Sequence, residues 1–143
     1  MSLQKKFLIN EFWILSWNAS VQRALRYHKL TTEFERQEFR KAVIGFCDEI
    51  IIPCYRLPVD EPIHLENIVK VRDHAMQCAG DSTLENPYNI GIAQKLLNLQ
   101  LKYMWCAGYI EKPPHCPVDR IILGGGCQGC CRCAKKVKLQ NAV

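Results

Sequence analysis

A chain of 143 residues, 48% hydrophobic and 23% charged, is long enough for one packed core and too short for two comfortable ones. The composition is that of an ordinary globular protein, and no apolar run approaches the ~20 residues of a membrane-spanning helix. The formal net charge of +5 is unevenly placed, with five basic residues against one acid in 1–30, six against eleven in 31–86, and five against none in 120–143. Basic ends around an acidic middle suit a nucleic-acid or other acidic partner; the alternative is a solvated surface with a basic tail.

The first segment, MSLQKKFLINEFWILSW, superficially has the form of a signal peptide. Asn10 and Glu11 interrupt its apolar stretch and no clean small-residue cleavage site follows, so the expectation is a helix of a cytoplasmic protein. Helical spacing of Leu3, Phe7, Leu8, Phe12 and Leu15 places that helix over 3–17, with Trp13 and Trp17 one turn apart. A second short helix is expected from Ser20, carrying Val21, Ala24, Leu25 and His28.

Thr32 followed by Glu35 has the form of a capping box, and Phe39, Val43, Phe46, Cys47 and Ile50 continue as an apolar stripe. Pro53 should end or kink that helix, since it lacks an N–H and its ring crowds the preceding turn. Asp60 with Pro62 opens another helix whose inward residues are read as Ile63, Ile68, Val71, Ala75 and Cys78, with Gly80 as its stop. After a turn-rich loop, Asn89 caps a helix from about 90 to 107, which Gly108 closes. No segment alternates as a strand does, and no internal repeat is present. The fold class is therefore all-α: a single multi-helix domain over 1–123, followed by a Gly/Cys-rich basic tail over 124–143.

The helix after Asn89 is the most informative stretch. Ile92, Leu96, Leu99 and Tyr103, with Ala93, Leu97 and Met104 beside them, make an apolar arc broad enough for a central, buried helix. Lys95, Asn98 and Lys102 form one polar line against it. This line is either the solvent edge of a core helix or one wall of a groove in which two cations and an amide face a ligand. Pro113, Pro114 and Pro117 then stiffen a loop that leads to Asp119, expected at a helix N-terminus, where free amides and the helix dipole favour a carboxylate.

Gly91-Ile92-Ala93-Gln94-Lys95, then the helix, then Pro117-Val118-Asp119 resembles the helix-hairpin-helix DNA glycosylase superfamily over about a fifth of the chain. That family's hairpin reads Gly-aliphatic-Gly-x-Lys, and its aspartate commonly stands in a Val-Asp context. The resemblance implies double-stranded DNA as partner, with Gly91, Lys95, Asn98 and Arg120 on the nucleic acid, and a lysine amine attacking the sugar of a damaged nucleotide beside Asp119. Ala93 stands where the family has its second hairpin glycine, and Arg120-Ile121 stands where it has a histidine. The glycine register points to Lys95 as the lysine, whereas its spacing from Asp119 favours Lys102, the choice made here for the nucleophile. Trp105 and Tyr109 are available as aromatic surface. A reading from a different class is a non-enzymatic helical module that binds another protein.

The nine cysteines are an odd number and no secretory signal is recognised, which argues against a disulfide framework. Cys47, Cys54, Cys78 and Cys106 fall inside apolar helical patterns and are read as small core hydrophobes. Cys127, Cys130, Cys131 and Cys133 are packed more closely than the two separated pairs of a usual zinc knuckle, with His115 and Cys116 as further donors. Zinc is a metal those sulfurs suit, and the glycosylase resemblance adds an iron–sulfur cluster, although the cysteine spacing here differs from that branch of the family; the alternative is a reduced, poorly packed tail without metal. His28, His64 and His74 are scattered and make no metal-ligand pattern in the sequence. No glycine-rich loop of the nucleotide-hydrolase type precedes a helix.

Overall fold

The computed structural model describes residues 1–115. Among them are four α-helices: α1 (Leu3–Val21), α2 (Glu33–Phe46), α3 (Glu61–Ala79) and α4 (Ile90–Cys106). There is no strand among the described residues, only a single antiparallel bridge between Tyr27 and Leu84. The all-α reading holds. The expected boundary at 123 and the tail beyond it lie outside the described residues.

Local chemistry sets the helix ends. The Ser2 hydroxyl accepts from the Lys5 amide, the Asp60 carboxylate from Ile63 and the Asn89 side chain from Ile92. At α2 the capping box is complete: the Thr32 hydroxyl accepts from the Glu35 amide while the Glu35 carboxylate accepts from the Thr32 amide at 2.7 Å. Gly80 and Gly108 follow α3 and α4 with φ of 55° and 73°, a backbone that residues with a Cβ rarely adopt.

The expected helix from Ser20 does not form; α1 runs through to Val21 instead. Ser20 is buried, and its hydroxyl donates back to the Ser16 and Trp17 carbonyls rather than capping a new helix. The chain beyond is pinned to the α3–α4 loop. Asn86 accepts from the Arg26 amide and donates to the Ala24 carbonyl, both at 2.6 Å, and the His28 amide donates to the Thr83 carbonyl.

Pro53 alters the helix before it rather than simply ending it. Cys47–Ile51 form a π-helical turn, in which the Ile52 amide reaches back five residues to the Cys47 carbonyl. A 3₁₀ turn over Ile52–Arg56 follows, with the proline in its first turn. One residue more per turn holds residues four apart on one face, so Cys47 and Ile51 continue the stripe of Phe39 and Val43. Ile50, expected in that stripe, is 56% exposed for the same reason.

α4 is the central helix, packed against α1 and α3, while α2 packs on α3. Ile92, Ala93, Leu96, Leu97, Leu101 and Met104 are buried, and fully burying a leucine contributes roughly 1.5–3 kcal/mol. Trp17, Tyr27 and Tyr88 surround Phe39 edge-on and tie α1, α2 and the two long loops together. The inward line of α3 is His64, Asn67, Ile68, Val71, Ala75 and Ala79, so Ile63 and Cys78, both read as core, face outward. Of the four described cysteines only Cys47 is buried; Cys54, Cys78 and Cys106 are exposed.

The capping box is a direct test of how far α2 depends on local chemistry. Thr32→Ala removes the bond that the hydroxyl accepts from the Glu35 amide and the one it donates to the Glu35 carboxylate, and is expected to lower stability by about 1 kcal/mol. Urea unfolding should show this as a shifted midpoint with an unchanged slope.

Candidate functional site

Two of the places where chemistry-bearing side chains come together involve α4. The first is a cleft of about 350 Å³ where the end of α1 meets the start of α4, lined by Gln22, Arg23, Asn89, Gly91 and Lys95 among others. Its lining holds two cations and no carboxylate. Arg23 and Lys95 make no ion pair among the described residues, and neither do Arg26 and Lys29 on the adjoining segment. No acid occurs between Glu11 and Glu33.

The floor of this cleft is a helix N-terminus, where amide N–H groups and the helix dipole attract negative charge. Asn89 takes up the Ile92 amide, leaving the Gly91 amide without a protein acceptor among the described residues. The folded-over Asn89 side chain also explains the glycine. A Cβ at 91 would stand 3.2 Å from the Asn89 Oδ1, tighter than ordinary contact. Gly91 is exposed and Lys95 half-buried, and both line this cleft, which the sequence reading did not foresee.

The second place is a buried polar network that the sequence reading missed. Asn98 was expected on a solvent or groove face with Lys95 and Lys102; instead it is 1% exposed and hydrogen-bonded inside the core. The physical reason is angular: positions 95 and 102 lie almost in line on a helix, whereas 98 is rotated towards the buried Leu101. Asn98 Oδ1 lies 2.9 Å from His64 Nε2, and Tyr55 Oη lies 2.7 Å from His64 Nδ1. Asn67 donates to Tyr55 Oη at 3.2 Å. One set of donors satisfies every bond: neutral His64 gives its Nε2–H to Asn98 and accepts the tyrosine proton at Nδ1.

The loop after α4 closes this network. The Glu111 amide donates to the Tyr55 carbonyl, Pro113 is buried, and His115 packs edge-on against His64 with ring centroids 4.7 Å apart. His115 Nε2 is 3.2 Å from the Glu61 carboxylate at the start of α3. The described part of the proline-containing loop therefore passes over the N-terminal turns of α3, and Pro117 and Asp119 lie outside the described residues.

Burial holds the His64 imidazolium far below its usual range, to about 4, and the neighbouring His115 adds to this while the Asn98 bond and Glu61 oppose it. Burial likewise pushes Tyr55 up to about 12, against the bond from Asn67. Both groups are therefore neutral at physiological pH, and every polar atom of the two has a partner. Such a network specifies packing rather than performing proton transfer on a substrate.

Of the remaining expected site residues, Lys102 is exposed on α4 and Trp105 is 44% exposed beside it. Asp119, Arg120, Cys127, Cys130, Cys131 and Cys133 lie outside the described residues. No group of three or more potential metal ligands occurs among the described residues. No described helix is long and apolar enough to cross a membrane. Comparison with protein-family models, curated proteins and solved structures gives no match in any of the three.

The network sets a pH dependence whose sign is determined. Unfolded histidine binds its proton near 6.5 and folded His64 only near 4, so between those values the unfolded chain holds more protons. This contribution to stability is complete above pH 6.5 and is lost as pH falls towards 4, a change of about 3 kcal/mol. Unfolding free energies across that window should fall for the wild type and fall less for His64→Gln. Asn98→Ala strands a buried N–H and should cost about 1–3 kcal/mol at neutral pH.

Proposed function

We propose that this chain is a nucleic-acid-binding helical module that grips the phosphate backbone of double-stranded DNA at the start of α4. The observation that carries this is the acid-free cleft in which the Gly91 amide, Arg23 and Lys95 converge at a helix N-terminus. Helix N-termini flanked by cations suit phosphate oxygens, because amide donors and fixed positive charge act on the same anion. Arg26 and Lys29 extend the basic surface from the end of α1. Lys102 lies two turns beyond Lys95 on nearly the same side of α4, about 10 Å along the helix axis. In the glycosylase-like form of this reading, Lys102 supplies the amine and Asp119 the carboxylate.

If the reading is right, duplex DNA is retained at low salt and released steeply as salt rises. Lys95→Ala and Arg23→Ala should each weaken binding evenly across unrelated sequences and reduce the salt slope by about 1. Incubation with abasic-site DNA and borohydride separates the two forms: a covalent adduct lost in Lys102→Ala means lyase chemistry, and binding without an adduct means recognition alone. Absence of duplex binding at low salt would remove the whole proposal.

One observation favours a different reading. α1 is apolar on two sides: Trp13, Trp17 and Phe12 face the core, while Leu3, Phe7 and Leu15 point outward at 82%, 63% and 52% exposure. A helix with a second apolar side suits a protein partner. In that case the chain binds no duplex, and concentration-dependent association in sedimentation is lost in Phe7→Asp.

A further inference from the structure

Near the C-terminal end of α3, His74 and Cys78 stand one turn apart on the same outward face. Cys78 Sγ and His74 Nε2 are 3.3 Å apart. The imidazole is held in place by a parallel stack on Phe46 from α2, with centroids 4.1 Å apart and planes within 11°. Cys78 is exposed and His74 half-buried, so solvent reaches the side of the pair away from the helix.

We propose that His74 and Cys78 form a two-ligand chelate for a borderline divalent transition-metal ion, represented by zinc. Imidazole nitrogen and thiolate sulfur are the donors such ions prefer. A tetrahedral zinc with Zn–S of about 2.3 Å and Zn–N of about 2.0–2.1 Å spans about 3.6 Å between sulfur and nitrogen. The observed separation needs to open by only a few tenths of an ångström, and the proton of the present hydrogen bond occupies the place the cation would take. Residues i and i+4 on a helix meet in this way without any loop having to order.

The surroundings favour positive charge. The last turn of α3 contains no Lys or Arg, and its free carbonyls make it the negative end of the helix dipole. Phe46 fixes the ring rotamer, so less side-chain freedom is lost on binding. Two protein ligands leave two tetrahedral positions to water. The thiol proton passes to solvent as the Zn–S bond forms, without any change of oxidation state. Because burial raises the Cys78 thiol, protons compete and binding tightens as pH rises.

The chain carries its own controls, since Cys54 and Cys106 are also exposed and neither has an imidazole partner. Full-length reduced protein is alkylated with iodoacetamide, with and without micromolar Zn²⁺, and each cysteine peptide is followed by mass spectrometry. The expected result is that zinc slows alkylation of Cys78 at least about tenfold and leaves Cys54 and Cys106 unchanged, because a metal-bound thiolate is shielded from the reagent. His74→Phe preserves the stack on Phe46 while removing the nitrogen, and should abolish protection at Cys78 alone. Cysteines of the tail are resolved as separate peptides, so metal held there does not obscure the result. Equal alkylation of Cys78 with and without zinc overturns the proposal. So does equal protection in His74→Phe, or equal protection of Cys54 and Cys106.

Discussion

Burying an imidazole costs free energy unless its ring nitrogens find partners, and both nitrogens of His64 do, through Tyr55 on one side and Asn98 on the other. Those partners come from the 3₁₀ turn after α2 and from the middle of α4, so one side chain locks three segments in register. A slip of one residue in α3 would strand the ring nitrogens, Tyr55 Oη and the Asn98 amide together. Apolar neighbours tolerate small slips far better than such a network does, because hydrophobic contact is not directional. The returning loop adds His115 and Pro113 over the same spot, so the segment after α4 also takes its position from His64.

The π-helical turn is part of the same arrangement. Pro53 cannot donate a hydrogen bond, and the backbone widens before it instead of breaking. Widening carries Ile51, Ile52 and Tyr55 into the core and delivers the tyrosine hydroxyl to His64. Ile50 is the residue displaced outward. A straight α-helix through this region would send Tyr55 elsewhere and leave the imidazole short of a donor.

Charge and burial then divide the surface. Asn67, Asn98 and Ser16, whose hydroxyl donates to Gln100, are inside and paired, whereas the Tyr88 hydroxyl and the Gln100 Nε2 are buried without a partner among the described residues. The cations at the start of α4 and the end of α1 are unpaired among the described residues and face a common cleft. The exposed Lys41–Glu38 and Lys70–Glu66 pairs lie elsewhere, on the outer sides of α2 and α3, where such bridges contribute little. What sets the cations of the cleft apart is that they share one lining without a carboxylate.

Local chemistry was legible in the sequence because it depends on neighbours in the chain. The capping box at Thr32, the caps at Asp60 and Asn89, the stops at Gly80 and Gly108 and the central, apolar character of α4 all followed from spacing of a few residues. So did the placing of Gly91 and Lys95 at one end of a helix, although the cleft between them and Arg23 needs α1 to arrive beside α4. Tertiary structure alone decided what lies far apart in the chain: His64 meets Asn98 across 34 residues, and Ser16 meets Gln100 across 84. Asn98 read as surface because polarity suggests solvent until a buried partner is known. Cys78 read as core because cysteine is so often buried, and only the phase of α3 against its neighbours turned it outward beside His74. Caps and periodicity act within one turn of backbone, whereas the pairing of buried polar groups is a property of two surfaces that exist only once the chain has folded.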